Sequence, residues 1–207
     1  MEITYYGANC FKVSSKNTSL VIDDNLNKLG LKSITTESDA LAYTQKILID
    51  ENISSQILLD GPGEYELDDI TVLGIQARAY TDKDDEMTAT MYKVMNGEHQ
   101  LLFLGHVQPK LDSKVLEKIG VVDVLVVPVG GSGYTLDSED ASEVVKLITP
   151  KVTIPCHYDD KEIKYDMPMR SIDDFMSKMG VTEPTHTKSL KLKGELEESV
   201  IVLDRFN

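Results

Sequence analysis

The chain has 207 residues, of which 41% are hydrophobic and 27% charged, the balance of a soluble globular protein with a substantial core and, by length, one domain over residues 1–207. Its net charge of -14 would repel a phosphate backbone. Lys188, Lys191 and Lys193 are spread along one apparent strand and followed by Glu195, Glu197 and Glu198, so no nucleic-acid partner is expected. No apolar run approaches the ~18 residues of a membrane span, and the opening Met1-Glu2-Ile3-Thr4 lacks a signal-peptide layout, so no membrane partner and a cytoplasmic location are the expectation.

In chain order, strand signals dominate the first half. Ile3–Tyr6 and Cys10–Val13 bracket a turn at Gly7, and Ser19–Asp23 follows a polar turn at 16–18. Residues 39–46 suit a short helix or a strand. Gln56–Leu59 reads as a strand ended by Gly61-Pro62-Gly63, and Thr71–Ile75 as another. The acidic stretch 79–88 reads as an exposed loop. Thr90–Val94 and Gln100–Leu104 form a hairpin across Asn96-Gly97, a strong turn dipeptide. The second half alternates. Ser113–Ile119 is a short helix closed by Gly120. Val124–Val129 is a continuous apolar strand of the kind buried on both faces. Ser138–Ile148 is an amphipathic helix that Ser138 can cap, with Ala141, Val144, Val145 and Ile148 on one face. Val152–Pro155 is a strand, Ser171–Met179 a helix ended by Gly180, and Leu190–Leu192 with Val200–Leu203 a closing hairpin. Two β-rich halves with helices outside give an α/β (α+β) class and a four-layer α/β/β/α sandwich.

Two cysteines, Cys10 and Cys156, give no disulfide framework and no CxxC pair for zinc. They read as buried small apolar residues. The Gly130-Gly131-Ser132-Gly133 run lacks the Gly-Lys-Ser/Thr ending of a phosphate loop and reads as a tight turn. Without a Gly-x-Ser-x-Gly elbow, a serine-hydrolase triad has no anchor.

Several motifs carry a family resemblance. Gly7-Ala8-Asn9-Cys10-Phe11 resembles the Gly-His-Ser-Cys-Phe opening of the metallo-β-lactamase-fold hydrolases, in the branch that includes ascorbate-6-phosphate lactonase-like proteins. Asp23 falls where that branch has an Asp after its second strand. Residues 60–66, Asp-Gly-Pro-Gly-Glu-Tyr-Glu, look like an element of one bacterial subgroup. Residues 123–131, Tyr134 to Asp137 and Pro150 to Tyr158 look like the family's last third. The resemblance implies one or two metal ions where strand ends meet, held by His and Asp and activating water for attack on a lactone, ester, amide or phosphodiester.

The implied ligand positions are largely gone. The His-x-His-x-Asp-His run falls on Gln45, Ile47, Ile49 and Asp50, and no His lies between Met1 and Glu98. Ala8 replaces the opening His. The place of a further His reads Ala79-Tyr80-Thr81-Asp82. His106 stands after Leu104-Gly105, where a metal-bridging Asp is expected. His157 alone matches a family ligand, with Asp23 as a supporting group. If the strand stays extended, Cys156 and His157 point to opposite faces. His99 reads as exposed and His186 as a surface loop residue.

Three functions follow. The first is a protein of this fold that has lost metal-dependent hydrolysis, with no metal cofactor, acting as a binding, regulatory or scaffold protein on a protein or small-molecule partner or as a homo-oligomer. The second is an active metal-dependent hydrolase with a rebuilt site of His157, His106 and one or two of Asp23, Asp50 and Asp82, holding Zn or Mn. The third is a metal-free pocket in the vacated cleft near Ala8, Asn9, Gln45, His106, Tyr134 and His157.

Overall fold

A computed structural model describes residues 1–206. The chain builds two sheets laid face to face. The first has six strands in the order β13-β1-β2-β3-β4-β5: β1 Glu2–Gly7, β2 Cys10–Ser14, β3 Ser19–Ile22, β4 Ala40–Ala42, β5 Ile57–Leu59 and β13 Ser189–Lys191. The second has eight, in the order β12-β14-β11-β10-β9-β8-β7-β6: β6 Gly63–Leu67, β7 Ile70–Ala77, β8 Ala89–Met95, β9 Gln100–Phe103, β10 Val124–Pro128, β11 Val152–Cys156, β12 Thr185–Thr187 and β14 Ser199–Leu203. Among the described residues no helix is long and apolar enough to cross a membrane.

Alternation decides which sheet face meets which core. Ile3, Tyr5, Phe11 and Leu20 from the first sheet meet Val72, Tyr92, Phe103, Val124 and Ile154 from the second in the inner core. The opposite side chains of the second sheet, Met91, Leu102, Leu125 and Val127, pack under α1 Ser113–Ile119 and α2 Ser138–Ile148, and Phe175 of α3 Ile172–Met179 joins them. β10 is thus buried on both faces, as its unbroken apolar run requires. On the far side of the first sheet, Cys10, Val21, Leu41 and Tyr43 pack against Leu26 and Leu48. These two come from short 3₁₀ turns, Leu26–Leu29 and Lys46–Leu48. The layer order is α/β/β/α, with one outer layer reduced to single turns and loops.

Several local readings are corrected. The segment 39–46 contains a three-residue strand, and the next residues form a 3₁₀ turn. α2 is capped by Asp137, whose carboxylate accepts from the amides of Glu139 and Asp140; Ser138 is already helical. The two last apolar runs are not a hairpin. β13 pairs with β1 in one sheet, whereas β14 lies parallel to β11 and β12 in the other. Short runs of alternating residues specify a face but no partner. His99 is buried, with Nε2 2.9 Å from the Gly194 carbonyl oxygen. His186 lies on β12 and pairs with Asp204 at 3.0 Å.

Candidate functional site

The site grows from the ends of β9, β10 and β11. After β9 the chain turns through Gly105, at φ +67°, where a Cβ would lie 2.6 Å from the Thr44 side chain. That turn delivers His106. After β11 the chain turns at His157 itself, at φ +53°. The His157 amide donates to the Ala8 carbonyl at 3.0 Å, and Ala8 is also left-handed, at φ +50°. After β10, Gly130 lets the two loops touch: a Cβ there would sit 2.1 Å from the His157 carbonyl oxygen. β10 lies between β9 and β11, so the two imidazoles arrive side by side, edge to face, with ring centroids 4.8 Å apart.

Below them, Asn9 from the β1–β2 turn connects the strand ends. Its amide nitrogen faces the His106 ring nitrogens at 3.2 and 3.3 Å, and its Oδ1 accepts from the Cys156 thiol at 3.2 Å. The condition under which Cys156 and His157 would point to opposite faces, an extended strand, is not met, because His157 is left-handed. Strand alternation ends one residue earlier, and both side chains reach the Asn9–His106 pair. Burial holds the Cys156 thiol well above its usual titration range, so it stays protonated.

The imidazoles are neutral near pH 7. Burial pushes His157 down to about 4, and burial followed by the neighbouring His157 holds His106 well below the ordinary imidazole range. His157 Nδ1 is buried with no hydrogen-bond partner among the described residues. Two tyrosines complete the ring cluster: Tyr134 lies 4.6 Å from His106 and Tyr165 lies 4.9 Å from His157, centroid to centroid. The four rings line a cleft of about 300 Å³, walled by Leu29, Leu48, Met167 and Met169, with Asn25, Lys28, Ile47 and Asp166 also bordering it.

The remaining candidates lie elsewhere. Asp23, at φ +50°, is buried behind the cleft and accepts from the Thr44 amide at 2.7 Å and the Thr44 hydroxyl at 2.6 Å. Burial raises its carboxyl to about 7 against those two bonds. It borders a void of about 10 Å³ shared with Asn9 and Cys156, space for about one water. Ala8 contributes its backbone carbonyl, which also accepts from the Tyr5 hydroxyl at 3.2 Å. Gln45 bridges to Ala89 and lines a separate groove of about 640 Å³. Ile47 is 77% exposed on the ridge between that groove and the cleft. Ile49 packs outward against the cluster around Tyr43. Asp50 accepts from Asn52 and Asn27, which hold its carboxyl below the usual range. Asp82 ties its own loop, accepting from Ala79 and Thr88. His106, Tyr134 and His157 therefore converge on the cleft with Asn9 beneath them and Ile47 at its border, while Gln45 lines the separate groove and Asp23, Ile49, Asp50 and Asp82 serve the local contacts just given.

This donor set does not fit the ion that the resemblance implies. A structural or catalytic zinc needs at least three protein ligands. Among the described residues no group of three or more His, Cys, Asp or Glu side chains is placed to hold a metal ion. Both Asp23 oxygens are taken by Thr44, and the Cys156 thiol is protonated and engaged with Asn9. Tyr165 and the two methionines went unnoticed in the sequence because Lys164-Tyr165-Asp166-Met167-Pro168-Met169 has no period or motif. Only the folded loop brings them to the strand ends.

The sequence model of a family described as Beta-lactamase superfamily domain matches residues 2–157. A UPF0173 protein of Pyrococcus abyssi (strain GE5 / Orsay) is 26% identical over 183 residues, 76% of this chain and 83% of that protein. A UPF0173 metal-dependent hydrolase of Carboxydothermus hydrogenoformans is 47% identical over 47 residues, 23% of this chain and 20% of that protein. Among solved structures, a metallo-β-lactamase superfamily protein from Thermotoga maritima superposes with a TM-score of 0.79 at 24% identity, covering 98% of both chains. A metallo hydrolase from Ignicoccus hospitalis superposes with a TM-score of 0.62 at 20% identity, covering 93% of this chain and 99% of that one. These superpositions speak for the fold.

Proposed function

The chain belongs to the beta-lactamase superfamily, and on that footing we propose that it keeps the family's scaffold, has lost metal-dependent hydrolysis and acts as a binding or regulatory protein through the cleft at the strand ends. One observation carries this reading. His106 and His157 stand together as neutral imidazoles, yet of the positions that should bring further ligands only Ile47 borders the cleft, and it carries no donor atom, while Gln45, Ile49 and Asp50 are engaged elsewhere. Two imidazoles without a third donor bind a divalent ion too weakly to hold it against buffer and chelators.

A second reading, an active hydrolase holding Zn or Mn, draws on the unpartnered Nδ1 of His157 and on the relatives named metal-dependent hydrolases. It requires a carboxylate to move into the cleft.

A hydrolysis assay separates the two. Lactones and phosphoesters are offered with Zn or Mn and again with a chelator. Loss of function predicts rates equal to the protein-free background under every condition. Turnover that a chelator removes, an added ion restores and His157→Asn abolishes would establish the rebuilt hydrolase instead.

A further inference from the structure

We infer that the cleft beside His106 and His157 takes an uncharged, planar heteroaromatic molecule of one or two rings, held by stacking rather than by a charge or an ion. This deepens the binding function proposed above and rests on the loss of the metal site.

The size sets the class first. About 300 Å³ is the lower end of pockets that enclose small organic ligands. The floor is made of rings in sequence, Tyr134 on His106, His106 on His157 and His157 on Tyr165, each pair within 5 Å. Flat π-systems prefer such surfaces in offset or edge-on contact. The walls are aliphatic or thioether. Met169 and Leu48 are buried, whereas Met167 is 49% and Ile47 is 77% exposed at the mouth. A ligand seated on the rings covers both, which removes two large apolar side chains from water.

Charge argues against the alternatives. An anion meets one cation at the cleft's border, Lys28, and its ammonium is drawn to the protein side by the Ile49 carbonyl at 2.8 Å and the Ile47 carbonyl at 3.4 Å. The chain's net charge of -14 opposes an anion over the molecule as a whole. A cation finds no carboxylate on the floor; Asp166 lies at the exposed rim. Behind the floor lies unused hydrogen-bonding capacity, closed off while Tyr165 stays in place. His157 Nδ1, on a side chain that is 4% exposed, and the Tyr165 hydroxyl both lack a partner among the described residues. Leaving such atoms unsatisfied is costly, and water does not reach them. A heterocycle carrying an N–H and a ring nitrogen answers both once the half-buried Tyr165 gives way.

The test uses four probes on the untagged full chain: indole and adenine as neutral flat rings, tetramethylammonium as a cation and inorganic phosphate as an anion. Binding is read by saturation-transfer NMR and calorimetry, and metal content is measured on the same samples. The expected result is one-to-one binding of indole or adenine. Ile47→Asp, at an exposed position that does not affect folding, weakens it about 5- to 10-fold through lost apolar cover. Tyr134→Leu, which keeps the volume apolar but removes the ring, weakens it too. The inference is overturned if neither flat ring saturates the protein, if both variants bind as tightly as the parent, or if tetramethylammonium or phosphate binds instead. Metal-free protein that ignores both flat rings overturns this inference alone. A stoichiometric ion overturns the reading beneath it, whatever indole does.

Discussion

Burial acts on His157 and Asp23 with opposite consequences for stability. His157 titrates near 4 in the fold and near 6.5 when unfolded. The folded state therefore binds fewer protons between those values, and stability rises with pH through that window. Asp23 titrates near 7 in the fold and near 3.9 unfolded. The folded state binds more protons there, and stability falls as pH rises through that window. The two contributions, at most roughly 3 and 4 kcal/mol, largely cancel, and His106 adds to the histidine side. Asp23→Asn should steepen the rise in stability between about pH 4 and 6.5. His157→Asn, which tolerates the left-handed backbone, should flatten it or reverse it. Urea titrations across this range measure both slopes; identical slopes in parent and variants would contradict the assignment. Burial also raises both thiols, and Cys10 is 0% and Cys156 1% exposed. Neither should react with a disulfide reagent until the protein unfolds; a Cys156 that reacts fast in native protein would show that the Asn9–Cys156 contact opens.

At the scale of elements, close backbone approach sets the site. Gly130→Ala would drive a Cβ into the His157 carbonyl oxygen. The expected cost is roughly 1–3 kcal/mol, read as a lower urea midpoint together with shifted His106 and His157 ring signals. Unchanged spectra would mean that the β10 and β11 loops do not meet as described. Strand positions were largely legible in the sequence because alternating and continuous apolar runs report faces directly. Partners were less so. The runs around Leu190 and Val202 have hairpin-like spacing, yet they end in different sheets, since the geometry that decides this is set by Met1–Glu2 and Lys151–Val152 far away in the chain. The helix starts were legible to within one residue, with the cap at Asp137 rather than Ser138. The sequence placed His106 and His157 in one candidate pocket, each just after a strand; their approach rests on β9 and β11 flanking β10 in the sheet. The role of Tyr165 was not legible, because it depends on how an irregular loop folds back.

For the whole molecule, the two sheets bury a shared apolar core in which Phe11, Phe103, Tyr92 and Ile154 meet between them. The proposed loss of the metal site predicts a folding stability independent of chelators and of added Zn or Mn, since an ion stabilises only a state that binds it. A melting temperature that rises with either ion in a saturable manner would show an occupied metal site and contradict the proposal. The most direct measurement is the metal content of untagged protein by elemental mass spectrometry, after purification without chelator and separate exposure to Zn, Mn, Fe and Mg. Loss of the hydrolytic site predicts substoichiometric metal in every sample, with no difference between the parent and His157→Asn. One ion per chain that disappears in His157→Asn would contradict that account and return the protein to the metal-dependent hydrolases.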